Sequence, residues 1–280
     1  MLRLDGAAAL AGWRRGPAAA GRVGFVPTMG ALHAGHGALV ERAAAECDAV
    51  LVSVFVNPLQ FDEASDFERY PRVADQDCRL LEGWGASAAY LPAHRDVYPE
   101  GAPRQLEPGP GGRLYEGLHR PGHFAGMLTV VHRLFEQVRP QRAYFGQKDA
   151  QQLFLVRELA RGLSWPLEVV ACDTVREADG LALSSRNRHL SADDRPQAAT
   201  LHRALLQAQR DFASGQRDPA ALEAAMRRVY AEAGVEVEYA AVVDDATFLP
   251  PSARSGRWRA VTAARVGGTR LIDNLALGAC

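Results

Sequence analysis

Two histidines three residues apart, His33 and His36, lie in the stretch VPTMGALHAGH at positions 26–36. An apolar β-branched run precedes them and good helix formers follow, so they fall where a strand passes through a glycine-bearing turn into a helix. At such a place an α/β fold offers backbone N–H groups and a partial positive charge to anions. Gly30 and Gly35 let the backbone approach a ligand without a side chain intervening. Spacing of three at a helix start sets both imidazoles on one side. From there they can donate hydrogen bonds to phosphate oxygens and strengthen them as charge builds in a transition state. Other chemistries fit less well. A metal site needs a third ligand, and no acidic residue stands between the two histidines. A P-loop needs Lys-Ser or Lys-Thr after its second glycine, which is missing here.

Four further blocks carry polar or charged residues: FVNPLQF (55–61), RPGHFAGM (120–127), YFGQKDAQQL (144–153) and READGLALSSRN (176–187). Lys148 is a point charge suited to phosphate. Ser184, Ser185 and Arg186 bring two hydroxyls and a cation. Gln60 and Gln152 can hold hydroxyl and carboxylate oxygens without neutralising them. Taken singly, each has a plainer reading: a solvated Lys-Asp pair, a polar linker, two surface glutamines.

The elements that must position these residues alternate. RVGFVPT, AVLVSVFV, ASAAYLP, AYFGQ and LEVVACDTV read as strands. Between them GHGALVERAAAECD, DQDCRLLEGWG, GHFAGMLTVVHRLFEQVRP and KDAQQLFLVRELARGL read as helices. This is the pattern of an α/β fold, a Rossmann-like parallel sheet with helices on both faces. Residues 99–120 form a Pro/Gly-rich irregular connection, the kind that often carries function. Past Val175 the composition shifts to Ala-rich helices (191–215 and 218–234) and then alternating strands, a smaller α+β C-terminal domain. Ser191 is expected to N-cap the first of these helices, with Asp194 completing a capping box. The domains are accordingly 1–175 and 176–280.

With 280 residues the chain can bury a core without disulfides or structural metal. A net charge of −1 gives no general pull towards nucleic acid or an anionic membrane. Cys47, Cys78, Cys172 and Cys280 form no CxxC pair and read as reduced thiols of a cytoplasmic protein. No 18-residue apolar run marks a signal peptide or a membrane span.

Taken together in this order, the blocks resemble the pantothenate synthetase (pantoate–β-alanine ligase) family of the nucleotidyltransferases that carry a HIGH-type motif, here His33-Ala34-Gly35-His36. The likeness is dense from about residue 22 to 190. It implies ATP-dependent joining of (R)-pantoate to β-alanine through pantoyl adenylate, with AMP and pyrophosphate released. It implies an ATP site made by Met29, Gly30, Ala31, Leu32, His33, Ala34, Gly35 and His36, by Gly146, Gln147, Lys148 and Asp149, by the backbone at Val175, and by Leu183, Ser184, Ser185 and Arg186. The last four resemble a KMSKS-type loop that closes over phosphates, with Leu183 where methionine is usual, and residues 176–280 are expected to act as a lid. His36, His33, Lys148, Ser184, Ser185 and Arg186 would carry catalysis. His36 is usually credited as a proton donor, and its chemistry here reads as stabilising charge on the triphosphate. Asp149 would read the ribose or cap the next helix. Gln147 stands where relatives have Glu and receives no chemistry. Gln60 and Gln152 would bind pantoate. Mg²⁺ would accompany ATP, held mainly by phosphates and water. Asp75 or Asp77 could assist it, and neither is assigned. A homodimer is also implied. The rival readings are a relative that transfers a nucleotide to a phosphorylated acceptor, which would need a basic acceptor site, and a catalytically silent nucleotide-binding scaffold.

Overall fold

The computed structural model describes residues 1–61, 64–101, 103–252 and 255–278. In chain order the elements are β1 (Leu2–Asp5), α1 (Ala7–Arg15), β2 (Val23–Thr28), α2 (Ala34–Glu46), β3 (Ala49–Val54), α3 (Ala64–Arg69), α4 (Ala74–Gly83), β4 (Ala88–Leu91), α5 (His94–Val97), α6 (Glu116–His119), α7 (His123–Val138), β5 (Arg142–Gly146), α8 (Ala150–Arg161) and β6 (Glu168–Cys172). After these come α9 (Arg195–Ala198), α10 (Thr200–Ala213), α11 (Pro219–Glu232), β7 (Glu236–Asp244), β8 (Trp258–Val266) and β9 (Thr269–Leu277). They form two compact units. The first is Met1–Gln147 with Leu155–Asp173, and the second is Lys148–Phe154 with the chain from Thr174 on.

The first unit is a parallel sheet in the order β1-β4-β3-β2-β5-β6. Alternation along β2 divides its two faces. Val26 joins Val40 and Ala43 of α2 and Leu81 of α4. Phe25 turns the other way and meets Phe135 of α7 edge to face at 6.2 Å. Helices therefore cover both sides, which is why β2 and β3 read as almost unbroken apolar runs. The chain steps from β2 outwards to β3 and β4, then crosses back to β5, so strand order reverses between β2 and β5. In open α/β sheets ligands bind beyond the strand ends at that reversal. β1 was not expected from the sequence: four residues ending at Asp5 are too short to display alternation, and their pairing with Ala88–Leu91 supplies the structure instead.

In the second unit α10 and α11 pack on an antiparallel sheet β7-β8-β9 around Leu201, Leu205, Met226 and Tyr230. The expected helix start at Ser191 is displaced. Ser191 and Asp194 do exchange hydrogen bonds, Asp194 N–H to Ser191 Oγ at 3.1 Å and Ser191 N–H to Asp194 Oδ2 at 3.0 Å. That reciprocal pair closes a turn of its own, and the helix begins after it at Arg195, where Pro196 fits the first turn.

Cys47, Cys78 and Cys172 are free thiols, and burial pushes Cys172 up to about 11. Cys280 lies outside the described residues.

Candidate functional site

The turn after β2 is held by hydrogen bonds of its own residues and by partners from Ser53 and Asp77. Thr28 Oγ1 donates to Ser53 O at 2.7 Å and accepts from Gly30 N–H at 3.2 Å. Gly30 has φ +82° and Ala31 φ +51°, a left-handed pair that reverses the chain. Asp77, from α4, holds this reversal: its two carboxylate oxygens accept from Ala31 N–H at 3.1 Å and Leu32 N–H at 2.9 Å. Asp77 is 1% exposed, and a side chain at Gly30 would meet its Oδ2 at 2.8 Å.

His33 N-caps α2. Its Nδ1 accepts from Gly35 N–H at 3.1 Å, and His36 Nδ1 accepts from His33 N–H at 3.3 Å, a capping box made of two imidazoles. The rings lie side by side with centroids 4.1 Å apart. A neutral imidazole that accepts at Nδ1 carries its proton at Nε2. The cap therefore fixes both tautomers and makes each Nε2–H a directed donor. This revises the expectation that the turn offers its amides to phosphate. The N–H groups of Gly30, Ala31, Leu32, His33, Gly35 and His36 are each engaged within the protein. The capping box uses Nδ1 of each ring, which leaves the ring proton on Nε2. Met29 and Ala34 complete the segment.

Asn57 organises a second cluster in the same unit. Its Oδ1 accepts from Leu59 N–H at 3.3 Å and from Tyr98 Oη at 3.1 Å. Its Nδ2 donates to Gly126 O at 3.1 Å and to Gln60 Oε1 at 3.2 Å. With Oε1 facing a donor, the Gln60 amide presents Nε2 as its donor end. The Gln60 carbonyl accepts from His123 Nδ1 at 3.0 Å and Arg120 Nη2 at 3.3 Å. Gly126 is required because any Cβ there would lie 2.0 Å from Leu59 O. Burial raises the Tyr98 phenol, which stays a neutral donor. Asn57, Tyr98, Arg120 and His123 were not singled out from the sequence, although FVNPLQF and RPGHFAGM contain three of them.

Gly146 ends β5, and Gln147 donates to Asp173 Oδ1 at 2.8 Å, both in the first unit. Lys148, Asp149 and half-buried Gln152 belong to the second unit, as do Val175 and the 176–186 loop. Lys148 Nζ lies 3.6 Å from Asp149 Oδ1. The loop that composition suggested was a linker is a tied hairpin. Arg176 bridges to Ala182, and Leu183 N–H donates to Val175 O at 2.9 Å. The Val175 carbonyl is thereby engaged within the hairpin. Asn187 Nδ2 donates to Glu177 Oε1 at 2.7 Å and Ala182 O at 3.1 Å. Arg195 pairs with both Glu177 and Asp179, and its hydrogen bond holds the Asp179 carboxyl below the usual range. Ser184 caps a 3₁₀ turn over Ser185–His189 by accepting from Arg186 N–H at 3.2 Å, and the Arg186 side chain is exposed.

Among the described residues no three of His, Cys, Asp and Glu gather as a metal site. Asp75 is exposed and paired with Arg3 at 2.9 Å, and the carboxylate of Asp77 is engaged by amides. No helix of the described residues is long and apolar enough to cross a membrane.

The profile of the Pantoate-beta-alanine ligase family matches residues 5–276. A pantothenate synthetase of Acidobacterium capsulatum is 53% identical over 258 residues, covering 91% of this chain and 86% of that protein. The crystal structure of pantothenate synthetase from Thermus thermophilus superposes with a TM-score of 0.91 at 46% identity, covering 100% of both chains. The Francisella tularensis pantoate–β-alanine ligase, crystallised with β,γ-ATP and β-alanine, gives a TM-score of 0.81 at 32% identity, over 100% of this chain and 99% of that one. A family match across nearly the whole chain, on a parallel sheet with paired histidines after its switch-point strand, has one consequence: this chain is an enzyme, a ligase belonging to the pantoate–β-alanine ligase family.

Proposed function

We propose that the chain joins (R)-pantoate to β-alanine in two steps, as an ATP-dependent ligase. In the first, a pantoate carboxylate oxygen attacks the α-phosphorus of ATP, the bond to the bridging β-phosphate oxygen breaks, and pyrophosphate leaves. In the second, the β-alanine amine attacks the acyl carbon of pantoyl adenylate, AMP leaves, and the amine loses a proton. A carboxylate is a poor acyl donor, and linking its oxygen to AMP provides the leaving group. The observation that carries this reading is the imidazole pair. Two Nε2–H donors with fixed tautomers lie next to each other beyond the switch-point strand, suited to charge that accumulates on the departing phosphates.

Lys148, Ser184, Ser185 and Arg186 are assigned to the phosphates, with the 176–186 loop of the 176–280 lid closing over them. Val175 is assigned to adenine through its backbone, and Gln152, like Gln60, to pantoate. Mg²⁺ would be held by phosphate oxygens and water, consistent with the engaged state of Asp77, and would neutralise the triphosphate. The rival transfer to a phosphorylated acceptor loses its support to the family match. A homodimer in the cytoplasm completes the proposal. Among the described residues β6 is an edge strand of its sheet, with Val169 and Val170 half-exposed, and such an edge is a surface that supports association.

The test is isotope exchange between pyrophosphate and ATP. Exchange is expected to require pantoate and Mg²⁺ and to proceed without β-alanine. Exchange that needs β-alanine would refute a free-standing adenylate step.

Gln60 gives a second expected result. If its Nε2–H holds a pantoate hydroxyl in a dry pocket, the deoxy analogue leaves that donor unpaired. The cost is about 1–3 kcal/mol, or roughly one to two decades of kcat/KM at about 1.4 kcal/mol per decade. Gln60→Ala should impair pantoate use, leave ATP binding near normal and discriminate less between the two substrates. The check is a two-by-two comparison of enzymes and substrates. Losses that simply multiply would place the hydroxyl elsewhere.

A further inference from the structure

The phosphate-binding candidates of the second unit come from two segments, Lys148–Asp149 and the 176–186 loop, and one dipeptide on β9 touches both. Asn274 Nδ2 donates to the Lys148 carbonyl at 2.8 Å across 126 residues of sequence. Asn274 Oδ1 accepts from Arg259 Nη1 at 2.6 Å, and Arg259 Nε is held by Asp245 Oδ1 at 2.6 Å. Flipping that amide would set its NH₂ against a guanidinium and its oxygen against a carbonyl, so Nδ2 is fixed towards Lys148. Arg259 can reach it because Val261 pairs with Asn274, which puts Arg259 on the same face one step along β8.

The preceding residue, Asp273, receives both arms of Arg176, at 2.7 and 3.0 Å. Its Oδ1 also accepts from Asn274 N–H at 2.8 Å. Arg176 Nη1 donates onward to Gly180 O at 3.0 Å, inside the hairpin that carries Leu183 to Arg186. Asp273, Asn274 and Arg259 are 3%, 5% and 9% exposed. The apolar core of this unit is made by other residues of the same sheet. Apolar side chains would fill these positions without the desolvation cost of a buried polar network. What the network uniquely provides is a fixed place for the Lys148 backbone and for the foot of the hairpin.

We propose that Asn274 and Asp273 are positioning residues for adenylation. Asn274 sets the Lys148 ammonium through its carbonyl, and Asp273 sets the 176–186 hairpin through Arg176. This rests on Lys148 being a phosphate ligand, and the test separates the two ideas. Pantoate-dependent ATP–pyrophosphate exchange is measured for the wild type, Asn274→Ala, Lys148→Ala and the double variant, with thermal melts of each. Asn274→Ala is expected to lower exchange kcat roughly 10- to 30-fold, within the ~10²-fold that a 1 Å misplacement can cost, with KM for ATP nearly unchanged. In the Lys148→Ala background the same change should cost less than about twofold, because the group it positions is gone. Losses that multiply would overturn the positioning role while leaving Lys148 as a ligand. Normal exchange by Lys148→Ala alone would overturn the ligand reading, and the positioning role with it. Should Asn274→Ala melt below the assay temperature, Asn274→Ser enters the same cycle, with the same coupling expected and the same multiplicative result fatal.

Discussion

Replacing His36 with alanine is expected to slow pantoate-dependent ATP–pyrophosphate exchange by about two to three orders of magnitude, the range for losing one preorganised transition-state donor. ATP binding should weaken far less, because the donor gains strength as negative charge develops on the phosphates. The substitution also removes the acceptor for His33 N–H, and with it half of the capping box. Loss of a helix cap costs about 1 kcal/mol, so a lower melting temperature alone would prove nothing. His36→Gln separates the effects. Glutamine three residues into a helix can reach back and accept from the N-cap amide, restoring the cap, but it puts no imidazole Nε2–H beside His33. It should recover stability while exchange stays depressed. Exchange that returns with stability would assign His36 to holding the turn and remove it from the chemistry.

The sequence displayed the sheet because each strand of its interior is an apolar run bounded by turn residues, and a strand covered on both faces cannot be written otherwise. It displayed the histidine pair because spacing of three at a helix start is a local fact, now seen as rings 4.1 Å apart. What the histidines do to each other was less visible. The imidazole capping box replaces the usual hydroxyl or carboxylate cap, so the residues that mark the helix start look like ligand chemistry alone. The engagement of the turn's amides is hidden for a related reason. Their acceptors are supplied partly by Asp77, which arrives from α4 across 45 and 46 residues. Asn57 is hidden inside FVNPLQF, since its partners Tyr98 and Gly126 come from later elements. Asn274 is hidden further, because its partners Lys148 and Arg259 come from other elements. The missed residues act through hydrogen bonds to backbone atoms or side chains that lie far off in sequence, and composition and periodicity carry no record of such pairings.

Asp77→Ala is expected to be the most damaging single change in the first unit outside its apolar core. It strands the buried N–H groups of Ala31 and Leu32, at about 1–3 kcal/mol each. At roughly 2–4 °C per kcal/mol for a unit of this size, the melting temperature should fall by about 5–20 °C. The turn would also lose the contact that holds Ala31 at φ +51°. His33 and His36 follow that residue closely, so a shift of about 1 Å at the rings should lower exchange by about 10²-fold even in the folded fraction. Asp77→Asn tests the cause. Its single carboxamide oxygen can accept one of the two amides, while its NH₂ meets the other donor head-on, so it should lose stability as well as rate. A carboxylate that worked by binding Mg²⁺ would behave differently. Its removal would raise the Mg²⁺ concentration needed for exchange, leave the melting temperature unchanged and be relieved by excess metal. Melting curves and Mg²⁺ titrations of the two variants decide between these. A lowered melting temperature with an unmoved Mg²⁺ midpoint is expected, because both oxygens of this carboxylate already face amides of the turn. An unchanged melting temperature with a displaced Mg²⁺ midpoint would overturn the assignment of Asp77 to the backbone of the turn.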